Sequence, residues 1–351
     1  MQTRNPRTAS GNRVNTGKTR GRASAASRRA PMRRKRTLVI GQFPDPHIDA
    51  VCDQLNRLGS DTLVFDPFKR GHEIELSIGN DGPGGSIRGN GTSWPLESVA
   101  AVWWRWKPFS AAEWSGAFAK VAEEFASREW RAVLRSIPAF MPNARCVNPI
   151  AAHVQVAQKP WQMALASQLG FRLPGTQFTN RPQAVLKQFS SYGRVVYKTI
   201  SSFLVPPNDF IFTNEIAERD VRGSFSSIRR APGTFQQLVE KDHELRVTVV
   251  GNHVFPVRID SQASAETSLD WRRDQFRGMY ESVRLDRILE QKLLDFQSRA
   301  GLLFGAYDLI VPKDGEPFFL ECNPGGQWLW LELELGIPIS AAIAQLLAGD
   351  Q

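Results

Sequence analysis

The chain has 351 residues, 42% apolar and 23% charged, which is enough to bury a sizeable core and more than one ordinary domain needs. Its net charge of +9 is unevenly placed: residues 1–36 hold ten Arg, two Lys and no acid, which leaves −3 for the other 315 residues and no charge argument for a nucleic-acid-binding body. Three scattered cysteines without CxxC spacing argue against a disulfide framework or a structural zinc and for a reducing, cytoplasmic setting, and no apolar run approaches the roughly 20 residues of a membrane span.

Residues 1–31 are Arg, Ser, Ala, Thr, Asn and Gly with almost no large apolar side chain, so they are expected to be disordered. Three readings of this tail stay open: an arm that contacts nucleic acid, a transit peptide (though no apolar face accompanies the Arg and Ser), or a start-site artefact. Met32 stands just before the first strand, and translation from it would leave the body intact.

The body opens with a strand at Thr37–Gly41, a helix over Pro46–Leu58 and a strand at Thr62–Asp66. Asn80–Gly91 is Gly-rich and reads as a loop, without the strand-then-helix setting of a dinucleotide fingerprint. Val99–Arg105 is a strand, and a helix follows from about 111 to 136 with Trp114, Phe118, Val121, Phe125, Val133 and Leu134 on one face. Together these make a small α/β domain with a mainly parallel sheet. In Val102–Pro108, tryptophans alternate with cations, either to stack bases or a partner peptide or to form a packed ridge. Asn148–Gly170 is helix-rich, Pro182–Phe189 is a short helix, and Arg194–Lys198 is a strand ending in a lysine. Glu244–Gly251 and His253–Ile259 form a hairpin.

Residues 305–311 and 317–322 are strand-like and flank Asp314-Gly315, a strong hairpin signal. A two-residue loop there sets Asp308 opposite Glu321, with Asn323 on the same face. Facing carboxylates repel. Two carboxylates and an amide suit Mg²⁺ shared with nucleotide phosphates; the alternative is a solvated pair on an open face.

Gly305–Asp308 with Phe319–Pro324 resembles the metal-binding core of the ATP-grasp ligases. Lys198 after a valine-rich strand, Gln236–Val239, Glu244–Val247, Asp270-Trp271-Arg272 and Asn323–Trp330 narrow the resemblance to the ATP-grasp ribosomal peptide maturases of the microviridin, or graspetide, type. The resemblance runs from about Thr37 to Ala348. It implies an α/β ATP-grasp fold behind a disordered basic tail (1–36): a pre-ATP-grasp α/β domain (37–147), a small or lid subdomain (148–232) and a C-terminal catalytic subdomain (233–351). It implies ATP and Mg²⁺, with Mn²⁺ as a substitute. Lys159 and Lys198 would contact phosphates, Gln237, Leu238 and Val239 would form the adenine hinge, and Glu244 would accept the ribose hydroxyls. Asp308, Glu321 and Asn323 would hold the metal, and Arg246, Arg258 and Arg272 are the candidates to stabilise the acyl phosphate. Cys322 stands where the family often has valine and reads as a buried filler. The implied activity joins Asp or Glu side chains of a leader-bearing precursor peptide to Ser or Thr hydroxyls or Lys amines, under a lid over about 185–230, in an enzyme that can be a homodimer. A RimK-like ligase that adds amino acids to a protein or peptide, and a nucleotide-dependent binding module, are the alternatives.

Overall fold

The computed structural model describes residues 35–105, 119–201, 204–205, 209–210, 213–262 and 279–349. The tail before Lys35, the expected helix before Ala119, part of the expected lid and Arg272 lie outside these residues.

The first part runs β1 (Arg36–Ile40), α1 (Pro46–Arg57), β2 (Asp61–Phe65), β3 (Glu73–Gly79), β4 (Gly82–Gly89), β5 (Thr92–Pro95), β6 (Ala101–Trp104), α2 (Ala119–Ser136) and β7 (Arg145–Val147). Strands β2-β1-β6-β7 form one parallel sheet, as the strand–helix–strand pattern predicts. Helix α1 begins where the Asp45 carboxylate accepts the His47 amide and Pro46 occupies the first turn, two features that favour a helix start.

The Gly-rich stretch corrects the sequence reading. It is not a loop: β4 pairs with β3 from Glu73↔Arg88 to Gly79↔Gly82 and carries β5 on its other edge. A side chain at Gly85 would collide with the Glu75 carbonyl, so the glycine serves a close backbone approach rather than a turn. Helix α2 also differs. Val121 and Phe125 are exposed, and the inward face is Ser127, Trp130 and Leu134. Trp103 and Trp104 are buried on opposite faces of the first sheet, so that part of the tryptophan run is a packed ridge.

The chain continues with α3 (Ile150–Val156), α4 (Lys159–Gln168), β8 (Thr176–Thr179), α5 (Pro182–Tyr192), β9 (Val195–Lys198), β10 (Leu204–Val205), β11 (Asp209–Phe210), β12 (Asn214–Ile216), α6 (Glu218–Gly223), α7 (Phe225–Arg230) and β13 (Gly233–Gln237). The order β12-β9-β13-β8 makes an antiparallel sheet, packed on α5 through Val185, Val195 and Phe235. Strand β13 therefore pairs into this small sheet, although the sequence places residue 233 in the following segment. Helices α3 and α4, in turn, pack through Val156, Met163 and Ala166 against the large sheet that follows.

That sheet is built from β14 (His243–Val250), β15 (His253–Ile259), β16 (Tyr280–Ser282), β17 (Phe304–Val311) and β18 (Phe318–Asn323), with α8 (Arg287–Arg299), α9 (Leu329–Leu335) and α10 (Ile339–Ala348) around it. Its order is β16-β15-β14-β17-β18, antiparallel throughout. One face buries Leu245, Val247, Tyr307, Leu309 and Phe319 against Leu293 and Phe296 of α8. Helix α10 packs its Ile343 and Leu347 into a core shared with Val39, Ile48 and Trp103 of the first sheet. Among the described residues no helix is long and apolar enough to cross a membrane.

Candidate active site

Side chains alternate across a strand, so the odd residues of β14 that fill the core leave Glu244, Arg246 and Thr248 on the other face. Register then assembles the cluster. Arg246 pairs with Asp308 across β14–β17, Asp308 pairs with Glu321 across β17–β18, and Ala306 pairs with Asn323. The opposed carboxylates thus stand as the sequence predicts, but by a different route. The turn is Pro312–Gly315, six residues separate the strands, and a register shift between Asp308 and Leu309 restores the alignment.

The carboxylates do not face each other uncompensated. Arg246 Nη1 donates to Asp308 Oδ1 at 2.6 Å, and Lys159 Nζ lies 3.7 Å from Glu321 Oε2. Asn323 Nδ2 reaches both, at 3.4 Å from Asp308 Oδ2 and 3.3 Å from Glu321 Oε1. Lys159 can do this because it opens α4, whose Gln162 accepts the Cys322 amide and so pins the helix to β18. Lys159 Nζ also donates to the Thr199 carbonyl at 3.1 Å, next to Lys198. Lys198 Nζ donates to Gln236 Oε1 at 2.9 Å.

The hinge residues join the two sheets. Gln237 N donates to the Gly175 carbonyl at 2.8 Å, its side-chain oxygen accepts from Gly175 N, and Leu238 N donates to the Arg194 carbonyl at 3.0 Å. Glu244 is buried against Lys241, 2.6 Å away. Burial pushes the Glu244 carboxyl above its ordinary value, and the Lys241 ammonium opposes that rise. Cys322 is 1% exposed beside Tyr307, and burial raises its thiol far from any nucleophilic range. It is the buried filler expected.

These groups line one cleft of about 1840 Å³ between the small and large sheets. Ten of the twelve residues singled out from the sequence border it: Lys159, Lys198, Gln237, Leu238, Val239, Glu244, Arg246, Asp308, Glu321 and Asn323. Arg258 is not brought to the cluster. It stands opposite Leu245 in the ladder, partly exposed, with Asp242 at 3.5 Å. Arg272 lies outside the described residues. The sequence reading missed Lys241, Gln236, His47 and Arg105. Lys241 had a signal in its spacing of three from Glu244 in a charged turn, and Gln236 and Arg105 fall within the Gln236–Val239 and Val102–Pro108 stretches. The roles of Gln236, Arg105 and His47 come through partners distant in sequence.

Among the described residues no group of three or more His, Cys, Asp and Glu could hold a metal alone. Two carboxylates and an amide nevertheless fit Mg²⁺ that takes its remaining oxygens from phosphate and water. A half-turn of the Asn323 amide would present its oxygen in place of its NH₂.

No protein-family model matches the chain, and no curated protein does. Solved structures do. A Chryseobacterium gregarium RiPP-associated ATP-grasp ligase, in complex with ADP and a leader and core peptide, is 25% identical, with 90% of this chain and 97% of that one covered at a TM-score of 0.79. The macrocyclase MdnC of Microcystis aeruginosa MRC, bound with precursor peptide MdnA, is 28% identical, with 90% and 99% covered and a TM-score of 0.79. D-cycloserine synthetase DcsG, 13% identical at a TM-score of 0.59 over 90% and 99%, shares the fold alone. The chain has the ATP-grasp fold. Its architecture is similar to that of solved ligases associated with ribosomally made peptides, the group its sequence motifs resemble.

Proposed function

We propose that the chain is an ATP-dependent carboxylate ligase that activates Asp or Glu side chains of a leader-bearing precursor peptide as acyl phosphates and closes them onto Ser or Thr hydroxyls or Lys amines of the same peptide. The observation that carries this reading is the opposed Asp308–Glu321 pair, reached by Asn323 and held by Arg246 on Asp308 and Lys159 near Glu321, in a cleft that the Gln237–Val239 hinge also lines. Solved structures similar to it include a ligase holding ADP with leader and core peptides and a macrocyclase holding its precursor.

Asp308, Glu321 and Asn323 are the proposed Mg²⁺ ligands, and Mg·ATP, when bound, supplies the phosphoryl group and neutralises its charge. Lys159 and Lys198 hold phosphate oxygens as compact point charges. Gln237 and Leu238 already commit their backbone N–H groups to Gly175 and Arg194, so they meet the adenine edge through their carbonyls. Glu244 accepts the ribose hydroxyls, and the Lys241 ammonium beside it favours its ionised form against the burial that disfavours it. Arg246, buried and already directed at Asp308, is the strongest of the three arginines for steadying charge on the acyl phosphate. The segment 185–230 is the proposed lid that excludes water from that intermediate. We place the enzyme in the cytoplasm, where its nucleotide is supplied.

Intact-mass measurement tests the reading. Incubated with ATP, Mg²⁺ and its precursor, the enzyme should give peptides one water lighter per ring, because cross-linking two side chains of one chain expels water. Products heavier by an amino-acid residue would make it a tagging ligase. ATP binding with every peptide left unchanged would make it a binding module.

A further inference from the structure

We propose that Asp45, His47 and Arg105, on the first sheet's side of the molecule, are positioning residues for the phosphoryl-transfer cluster, acting through the segment Gly325–Leu329. The three form one buried unit: they are 1%, 6% and 3% exposed. One Asp45 oxygen meets His47 Nδ1 at 2.9 Å, and the other accepts from Arg105 Nε at 3.0 Å. The far nitrogen of the imidazole, Nε2, accepts the backbone amides of Trp328 and Leu329, each at 3.2 Å. An accepting Nε2 puts the ring proton on Nδ1, which then donates to Asp45. Trp328 is the N-cap of α9 and makes no side-chain capping bond of its own, so His47 caps that helix from a remote part of the chain. Arg105 Nη1 grips the same segment from its other end, donating to the carbonyls of Gly325 at 2.8 Å and Gly326 at 3.4 Å.

The residue between these grips carries the coupling. The Gln327 carbonyl accepts Arg246 Nη2 at 3.0 Å, while Nη1 of the same guanidinium holds Asp308 at 2.6 Å. There is no slack in this contact. A methyl group at Gly326 would fall 2.5 Å from the Ala306 Cβ and 3.0 Å from Arg246 Nη2. A shift of the segment is therefore passed to Arg246 and on to the carboxylate opposite Glu321. Three buried polar groups are a costly way merely to glue two parts of a protein, since a packed apolar contact avoids their desolvation. They are a suitable way to fix the direction of four backbone groups beside a reacting centre, where a small misplacement is expensive. The proposal rests on the ligase reading only for its turnover measurement.

The test compares His47→Ala with His47→Gln, whose amide oxygen restores an acceptor near the Nε2 position. Three quantities are read: hydrogen exchange at the Trp328 and Leu329 amides, ADP affinity with and without Mg²⁺, and ATP turnover with precursor. In His47→Ala the two amides should exchange faster, the Mg²⁺-dependent gain in ADP affinity should fall about 5-fold or more, and kcat should fall about 10-fold or more, with Mg²⁺-free ADP binding within about 2-fold. His47→Gln should recover most of each loss. Unchanged exchange would overturn the cap. Faster exchange with unaltered Mg·ADP affinity and kcat would overturn the positioning role, as would a folded His47→Gln as deficient as the alanine variant. If His47→Ala does not fold, Arg105→Lys, which keeps the charge but loses the fork, should show the same weakening, and its absence would sink the proposal. Wild-type protein that binds Mg·ADP yet leaves every peptide unchanged would overturn the ligase reading alone.

Discussion

Asp308 and Glu321 repel across the ladder and are held there by Arg246, Lys159 and Asn323. Removing the Glu321 charge relieves that repulsion, whereas removing the Asp308 charge also leaves the buried Arg246 without its counter-charge. Glu321→Gln should therefore melt no lower than about 2 °C below the wild type and Asp308→Asn clearly lower, each losing about 100-fold or more in ATP turnover. Melting curves and a phosphate-release assay check this; normal turnover in either variant would remove the pair from the chemistry. Glu244 gives a second prediction. Its buried carboxyl titrates above the ordinary value of 4.5, so between that pH and its raised folded value the native state keeps a proton that the unfolded state has lost. Stability contributed by the neutral form is present below pH 4.5 and is lost as pH rises through the folded value. Lys241 opposes the shift. Lys241→Met should therefore widen the window and make stability fall more steeply with rising pH than in the wild type. Denaturant midpoints from pH 4 to 9 (about one per unit) measure it, and parallel slopes would contradict it.

At the scale of elements, the strongest signals in the sequence were local ones. The alternation in Glu244–Val250, the turn signal at Asp314-Gly315 and the helical spacing over Pro46–Leu58 act within a few residues of themselves, and β14, β17 and α1 stand where those signals put them. The register of the carboxylate pair was legible only because two departures cancel: a longer turn, and a bulge in β18, with Leu320 as the extra residue, that shifts the ladder back. Nothing in the residues announces that bulge. The glycines of β4 misled because a glycine that permits a close approach looks, in sequence, like one that permits a turn. Gly326 is of the first kind as well. Gly326→Ala would force apart the loop, Ala306 and Arg246, costing about 1–3 kcal/mol of stability and about 10-fold or more in turnover. Chemical denaturation and steady-state kinetics would show it. A fully active, fully stable variant would mean that the loop has room the structure does not give it.

Across the whole molecule, what the sequence could not disclose is how distant segments bolt the cluster in place. His47 looks unremarkable in its own neighbourhood, Arg105 stands out only as one cation of the tryptophan run, and the segment both hold lies more than 200 residues away. Asn148 is the same case. Directly after β7, it is 2% exposed and uses its whole amide group on the large sheet. Its oxygen accepts the amides of Leu303 and Phe304, both at 2.7 Å, and its nitrogen donates to the carbonyls of Phe304 and Pro324, both at 2.8 Å. One side chain thus fixes the entry to β17 and the exit from β18, the two strands that carry Asp308 and Glu321. Asn148→Ala leaves up to four buried backbone groups without partners, at about 1–3 kcal/mol for each that water does not rescue. A total loss of about 3–5 kcal/mol is expected, at the upper end for a single substitution. Asn148→Asp separates packing from hydrogen bonding: it keeps the shape and both acceptances but turns the two donations into repulsions, so it should be at least as damaging as alanine. Denaturant unfolding of the three proteins decides the matter. An aspartate variant as stable as the wild type would show that the bonds to Phe304 and Pro324 do not hold these strands.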